Sequence, residues 1–161
     1  TGLGGHSDYV TVAGLCDSEG THAFIRGENL WLLPEALQKY KLIVTFNGAR
    51  FDLHFLEARM GDLFGNHAHI DLFYILKRLG YGGGLKKIER RLGLSRPAGV
   101  AEIDGFEAVR LWFRHLDGDR RALEKLVEYN RLDVANLRPL MEFAYNTLKS
   151  RLFPEAQQST Y

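Results

Sequence analysis

The chain carries one cysteine, Cys16, in 161 residues. That excludes an intramolecular disulfide and any zinc site made of cysteines alone. Cys16 follows Leu15 in an apolar run, so a small buried residue is its plainest reading. Long hydrophobic runs are missing too: none approaches the roughly 18 residues that a membrane span requires. The opening "TGLGGHSDYV" lacks the charged start and apolar stretch of a signal peptide. Neither sign of charge dominates. A formal net charge of +1 gives no global pull toward nucleic acid or membrane, so any such pull must come from a local patch. The glycine-rich "GYGGG" at 80–84 has no following Lys-Ser/Thr and is no Walker loop. A Gly-x-Ser-x-Gly elbow is absent as well, against a hydrolase of that kind. No histidine pair has the four-residue spacing of a helical metal motif: His67 and His69 are two apart, and the others are scattered. The expectation is a soluble, cytoplasmic protein with no membrane segment.

What is present is ordinary for a globular chain, with 45% hydrophobic and 25% charged residues. The length predicts one domain, residues 1–150, followed by a polar tail at 151–161. "DYVTVAGLC" and "THAFIR", separated by the turn signal "DSEG", predict an antiparallel hairpin. "ENLWLLPEALQKY" predicts a helix with Pro34 in its early turn. "KLIVTF", bounded by Asn47-Gly48, predicts a strand buried on both faces. "ARFDLHFLEARMG" has Phe51, Phe55, Leu56 and Met60 at helical intervals and Gly61 as its stop. "HIDL" predicts a short strand running into the helix "LFYILKRLG". Then come a short helix at "LKKIERRLGL", an irregular stretch at 95–105, a helix at "FEAVRLWFRHL", and a long closing helical region that Pro139 kinks or divides. Strands alternating with helices, then a helical second half, predict an α/β or α+β layered fold.

Three places could carry chemistry. In "TFNGARFDLHFL", Asp52 opens a helix just after a buried strand ends, where active sites of open α/β sheets lie; it also suits a helix N-terminus on macrodipole grounds alone. Tyr129 and Asp133 sit four apart, on one helical face, which is either a solvated face or half of a site. Asp71, between a strand and a helix, reads first as a helix cap. One charge feature stands out. From residue 77 to 96 there are seven basic residues (Lys77, Arg78, Lys86, Lys87, Arg90, Arg91 and Arg96) against one acid, Glu89. Lys86/Arg90 and Lys87/Arg91 align four apart, opposite the apolar stripe of Leu85, Ile88 and Leu92. That face is either a solvated helix or a phosphate-binding surface.

Taken in order, these pieces resemble one family. "NGARFD" is similar to the second motif of the DEDD (DnaQ-like) 3′–5′ exonucleases, and "YNRLD" to their third motif in its tyrosine form, Tyr-x-x-x-Asp. "GHSDYVTVAGL", "HIDL", "LKKIERRLG" and "EYNRLDV" follow the order of the YprB-like ribonuclease-H-like branch, over residues 1 to about 148. The resemblance implies an α/β, ribonuclease-H-like mixed sheet flanked by helices. It implies a 3′–5′ exonuclease that hydrolyses phosphodiester bonds of DNA or RNA, at single-stranded 3′ ends, by a two-metal mechanism. Two divalent ions, Mg²⁺ or Mn²⁺, about 4 Å apart would clamp the attacking and leaving oxygens, and hard cations require carboxylates. By similarity, Asp52 and Asp133 would be the metal ligands, Asp133 directly and Asp52 directly or through a water. Tyr129 would orient the attacking water. Asn47, Lys86, Lys87, Arg90 and Arg91 would meet the substrate.

The family's first motif, Asp-x-Glu, commonly continues as Thr-Thr-Gly-Leu, and this chain begins Thr1-Gly2-Leu3. The motif is therefore expected just ahead of residue 1, on a first strand that this sequence lacks. Without it two of four acidic ligands are gone, and the chain as it stands is expected to hydrolyse nucleic acid poorly or not at all. A dimer or an exchanged strand would be another source of that strand. The alternatives are a non-catalytic nucleic-acid-binding module of the same fold and a protein-interaction domain.

Overall fold

The computed structural model describes residues 9–154. The hairpin forms where "DSEG" interrupts two runs of strand-forming residues: β1 (Val12–Cys16) pairs antiparallel with β2 (Thr21–Ile25), in the register Val12↔Ile25 to Cys16↔Thr21. The Asp17 carboxylate accepts the Glu19 and Gly20 amides, at 2.8 and 3.1 Å, and Gly20 takes a φ of +137°, a backbone region that glycine enters at little cost. The hairpin exit is held by Asn29, whose side chain accepts the Ile25 amide and donates to the Ala23 carbonyl. The predicted helix around Pro34 shortens to a 3₁₀ turn, Leu30–Leu32, and α1 (Leu33–Leu37), with Pro34 in its first turn.

A second pair of strands follows. β3 (Leu42–Thr45) and β4 (Ala68–Asp71) are parallel, in the register Leu42↔Ala68 to Thr45↔Asp71, and parallel strands need a crossover. α2 (Asp52–Met60) supplies it and stops at Gly61, which has a φ of +86°. β4 then runs directly into α3 (Leu72–Arg78). The α/β architecture of antiparallel and parallel strands flanked by helices is the one expected, and among the described residues its strands form two two-stranded sheets, β1-β2 and β3-β4. The strand expected to join them, and Thr1–Leu3 beside it, lie outside the described residues. β3 is also less buried than its composition predicts. Leu42 is exposed and the rest is half-buried, because β4 is its sole strand partner among the described residues.

The helical half begins with α4 (Leu85–Arg91), and the stretch expected to be irregular contains α5 (Ala98–Ala101). α6 (Gly105–Leu116) and α7 (Arg120–Ala135) each start on an aspartate cap: Asp104 accepts the Glu107 amide and Asp119 accepts the Ala122 amide. α8 (Leu137–Leu152) carries Pro139 in its first turn. Proline has no N–H for the carbonyl four residues back, and the division between α7 and α8 falls at Asn136 accordingly. α8 continues past residue 150, where the tail was expected to begin, and residues 155–161 lie outside the described range.

Three apolar clusters hold these pieces. One hairpin face (Val12, Ile25) packs against Ile103, Leu111, Trp112 and Leu126 of the helical half. The opposite face (Ala13, Leu15, Phe24) meets Leu33 and Leu37 of α1 and Phe55, Leu56 and Met60 of α2. The third joins Leu72 and Leu76 of α3 to Ile88 of α4 and Leu140 and Ala144 of α8. Phe51, predicted on the apolar face of α2, points outward and is 59% exposed. α7 lies close across the hairpin at Gly14, where a Cβ would come within 2.2 Å of Asn130 Oδ1; that approach requires glycine.

Candidate active site

The carboxyl ends of the two parallel strands lie side by side, because the register sets Thr45 opposite Asp71. Beyond Thr45 the chain turns sharply. Asn47 takes a φ of +60°, a left-handed conformation that asparagine tolerates better than most residues. A Cβ on Gly48 would lie 2.6 Å from the Thr45 Cβ, so no larger residue fits. Asp71 fixes this turn: its carboxylate accepts the amides of Asn47 (2.7 Å) and Ala49 (3.0 Å), and caps α3 through the Phe73 amide (3.1 Å). The cap expected at Asp71 is present, with a second task that the sequence did not reveal. The turn delivers Asp52 as the first residue of α2, at the surface. Its carboxyl is pushed above the usual range, first by the protein around it and then by the Asp133 and Asp71 charges.

α7 brings the other half. Tyr129 and Asp133 are half-buried rather than solvated, and each bears on the ionisation of the other. Asp133 Oδ1 lies 2.7 Å from Arg96 Nη1. Arg96 is itself gripped by Glu89: its Nε donates to Oε2 at 2.7 Å and its Nη2 to Oε1 at 2.6 Å. Asn136 donates to the same Oε1 at 2.9 Å. The Glu89 and Arg96 side chains are 1% and 3% exposed, whereas Asp133 keeps 27%. Burial raises the Asp133 carboxyl, against the pull of Arg96 and of the neighbouring Tyr129 phenol. Burial, then the Asp133 charge, raises the Tyr129 phenol and keeps it protonated.

The basic run at 77–96 is not one surface. Lys86 turns its ammonium onto the carbonyls of Ala101 and Ile103 and lies 5.1 Å from the centre of the Tyr129 ring. Burial, then the Arg96 charge, lowers its pKa. Arg91 donates to the Gly80 carbonyl and stacks over Tyr81. Arg96 is inside. Lys87 and Arg90 are exposed on α4. The structure therefore separates Lys86 from Lys87, Arg90 and Arg91, and brings it to Tyr129 instead. Asn47 holds the turn, and its Oδ1 is buried with no hydrogen-bond partner among the described residues.

Sequence reasoning missed Glu89, Arg96 and Asn136. A signal existed for Glu89: it lies four residues after Leu85 and beside Ile88, on the stripe that α4 buries. A carboxylate there demands a cationic partner.

Asp52 and Asp133 offer hard oxygen donors, one at the surface and one half-buried, and a pair in which the Asp133 charge raises Asp52 suits a divalent cation. Asp71 spends three of its acceptor sites on the turn amides and the α3 cap. The only trio of acidic and histidine side chains with ligand atoms within 4.8 Å of one another, among the described residues, is Asp17, Glu19 and His22 at the hairpin tip. Asp17 there is already taken by the turn amides and by the Tyr40 hydroxyl at 2.5 Å.

An α/β domain that sets aspartates at a parallel strand end and on a facing helix has a nuclease-type architecture. The family model described as RNase_H_2, RNase_H superfamily, matches residues 1–145, and the chain belongs to that superfamily. No curated protein and no solved structure matches it. Among the described residues, no helix is long and apolar enough to cross a membrane.

Proposed function

We propose that this chain is the metal-dependent 3′–5′ exonuclease domain that its motif order implies, acting on single-stranded 3′ ends of DNA or RNA. The reading is supported by the placement of Asp52 just after the β3 end and of Asp133 on α7, together with the Asp133 charge being among those that raise Asp52. Asp52 and Asp133 would hold Mg²⁺ or Mn²⁺. When bound, such ions polarise a phosphoryl oxygen and lower the pKa of the attacking water. The protein's own contribution is placement. Asp71 and Gly48 fix the turn that presents Asp52. The protonated Tyr129 phenol, one helical turn before Asp133, is set to orient a water. Lys87 and Arg90 are exposed cations for the phosphate backbone.

The test is digestion of a 3′-end-labelled single-stranded oligonucleotide with Mn²⁺. Slow stepwise loss from the 3′ end, abolished by Asp133→Asn, supports the reading with the impaired turnover expected of this chain, and hydrolysis unaffected by Asp52→Asn and Asp133→Asn sinks it. A second reading, a binding module without turnover, is favoured by one observation: Arg96 already neutralises part of Asp133. Salt-dependent binding of the intact oligonucleotide, with no Mn²⁺ binding that depends on Asp52 and Asp133, would select it.

A further inference from the structure

The cation nearest Asp133 is not free to leave. A lone arginine on a metal-binding carboxylate would compete with the metal. Arg96 differs in that Glu89 holds it through two hydrogen bonds, at 2.7 and 2.6 Å, and Asn136 holds Glu89 in turn. Charge counting gives the consequence. Glu89 and Asp133 contribute two negative charges and Arg96 one positive, so the triad retains one negative charge. That charge resides on its only partly exposed member, Asp133, at 27% against 1% and 3% for the other two. Geometry adds to this. Arg96 Nη1 lies 2.7 Å from Oδ1 of Asp133 and has no hydrogen-bond partner among the described residues, so the ion contact is what ties this oxygen to the buried pair.

We propose that Arg96 is a positioning residue for Asp133, anchored by Glu89 and Asn136, and that Glu89 cancels the arginine's charge so that Asp133 keeps its own for a cation. The three residues come from α4, the 92–97 loop and the α7–α8 junction, so one buried network sets the direction of a side chain on α7. This rests on the reading of Asp133 as a metal ligand, but the positioning half can be tested without metal.

The experiment uses the full chain with ¹³C-labelled aspartate. In the metal-free protein the Asp133 ¹³Cγ resonance is compared with that of Arg96→Lys and of the double variant Glu89→Gln/Arg96→Met, which removes both buried charges together and so avoids leaving one stranded. The double variant should shift and broaden the Asp133 signal, and Arg96→Lys should restore it in part. An Asp133 signal unchanged in the double variant overturns the proposal whatever the metal does. Mn²⁺ is then titrated. Glu89→Gln, which leaves Arg96 uncancelled, should weaken Mn²⁺ binding by about 10- to 100-fold, the range for groups behind a ligand. Unchanged Mn²⁺ affinity in Glu89→Gln overturns the charge-cancelling role. Absence of Mn²⁺ binding in the parent protein, with the metal-free coupling intact, overturns the metal reading of the site and the charge-cancelling role with it, while supporting the positioning role.

Discussion

The two halves of the candidate site are built by opposite means. Around Asp52 the backbone does the positioning: a left-handed Asn47, a glycine too close to Thr45 for any larger residue, and three amides gathered by Asp71. Around Asp133 side chains do it, through a buried ionic chain from Asn136 to Glu89 to Arg96. The first half is local, and the range from Thr45 to Phe73 contains all of it. The second joins residues 89, 96, 133 and 136, which meet only through tertiary packing. A turn of backbone amides tolerates a nearby cation with little electrostatic consequence, whereas an ionic network must balance its charge before it can offer any. The difference also predicts where each half breaks.

The largest effect is expected at Arg96→Ala, which leaves the 1%-exposed Glu89 carboxylate without its counter-charge. Stability to urea should fall by about 3–5 kcal/mol, as when one partner of a buried pair is removed. A loss below 1 kcal/mol would mean that water reaches Glu89 and that the α7 half is not a buried network. Asp71→Ala comes next. It takes the shared acceptor from the Asn47, Ala49 and Phe73 amides and should cost about 2–3 kcal/mol, part cap and part turn. Hydrogen exchange should then accelerate at those amides while α7 remains protected, and equal acceleration in both would erase the distinction between the halves.

The smallest effect lies away from both halves, at the hairpin tip. The Tyr40 hydroxyl bond is the main cause holding Asp17 down, from its ordinary 3.8 to about 2, and the same bond raises Tyr40 from 10.0 to about 12. Asp17's folded pKa is the lower one. Its contribution to stability is therefore present above pH 3.8 and fades as pH falls toward 2. Tyr40's folded pKa is the higher one, so its contribution is present below pH 10 and is lost as pH rises through about 12. Tyr40→Phe should bring the Asp17 titration, followed by NMR, back toward 3.8 and shallow the acid limb of the stability curve. Asp52 and Asp133 should be unaffected.

The local half was the legible one. The hairpin signal "DSEG", the strand-to-helix passage at Asp71 and the Asn47-Gly48 turn each act within a few residues, and the sequence displays them in order. Tyr129 and Asp133 were legible as a pair on one face, though not as a half-buried one, because burial depends on what packs over them. The basic run misled for the same reason. Charge counted along the chain treats Arg96, Lys86 and Lys87 alike, yet one enters a buried ion pair, one binds helix-end carbonyls and one faces solvent. Glu89 was the clue: a lone acid on an apolar stripe foretells a buried cation. The mixed α/β architecture was expected from family order with its first strand missing, and the described residues show it as two small sheets, β1-β2 and β3-β4.

The central claim is that Asp52 and Asp133 together form a cation site. The most direct measurement is thermal unfolding of the full chain across a Mn²⁺ titration, with Asp52→Asn, Asp133→Asn and the double variant in parallel. Binding to the folded state stabilises by mass action, by about 2.7 kcal/mol at a hundredfold excess over Kd. The account predicts a Tm that climbs with Mn²⁺ in the parent protein, climbs less in either single variant and stays flat in the double variant. A climb of equal size in the double variant would place the cation elsewhere and contradict the claim.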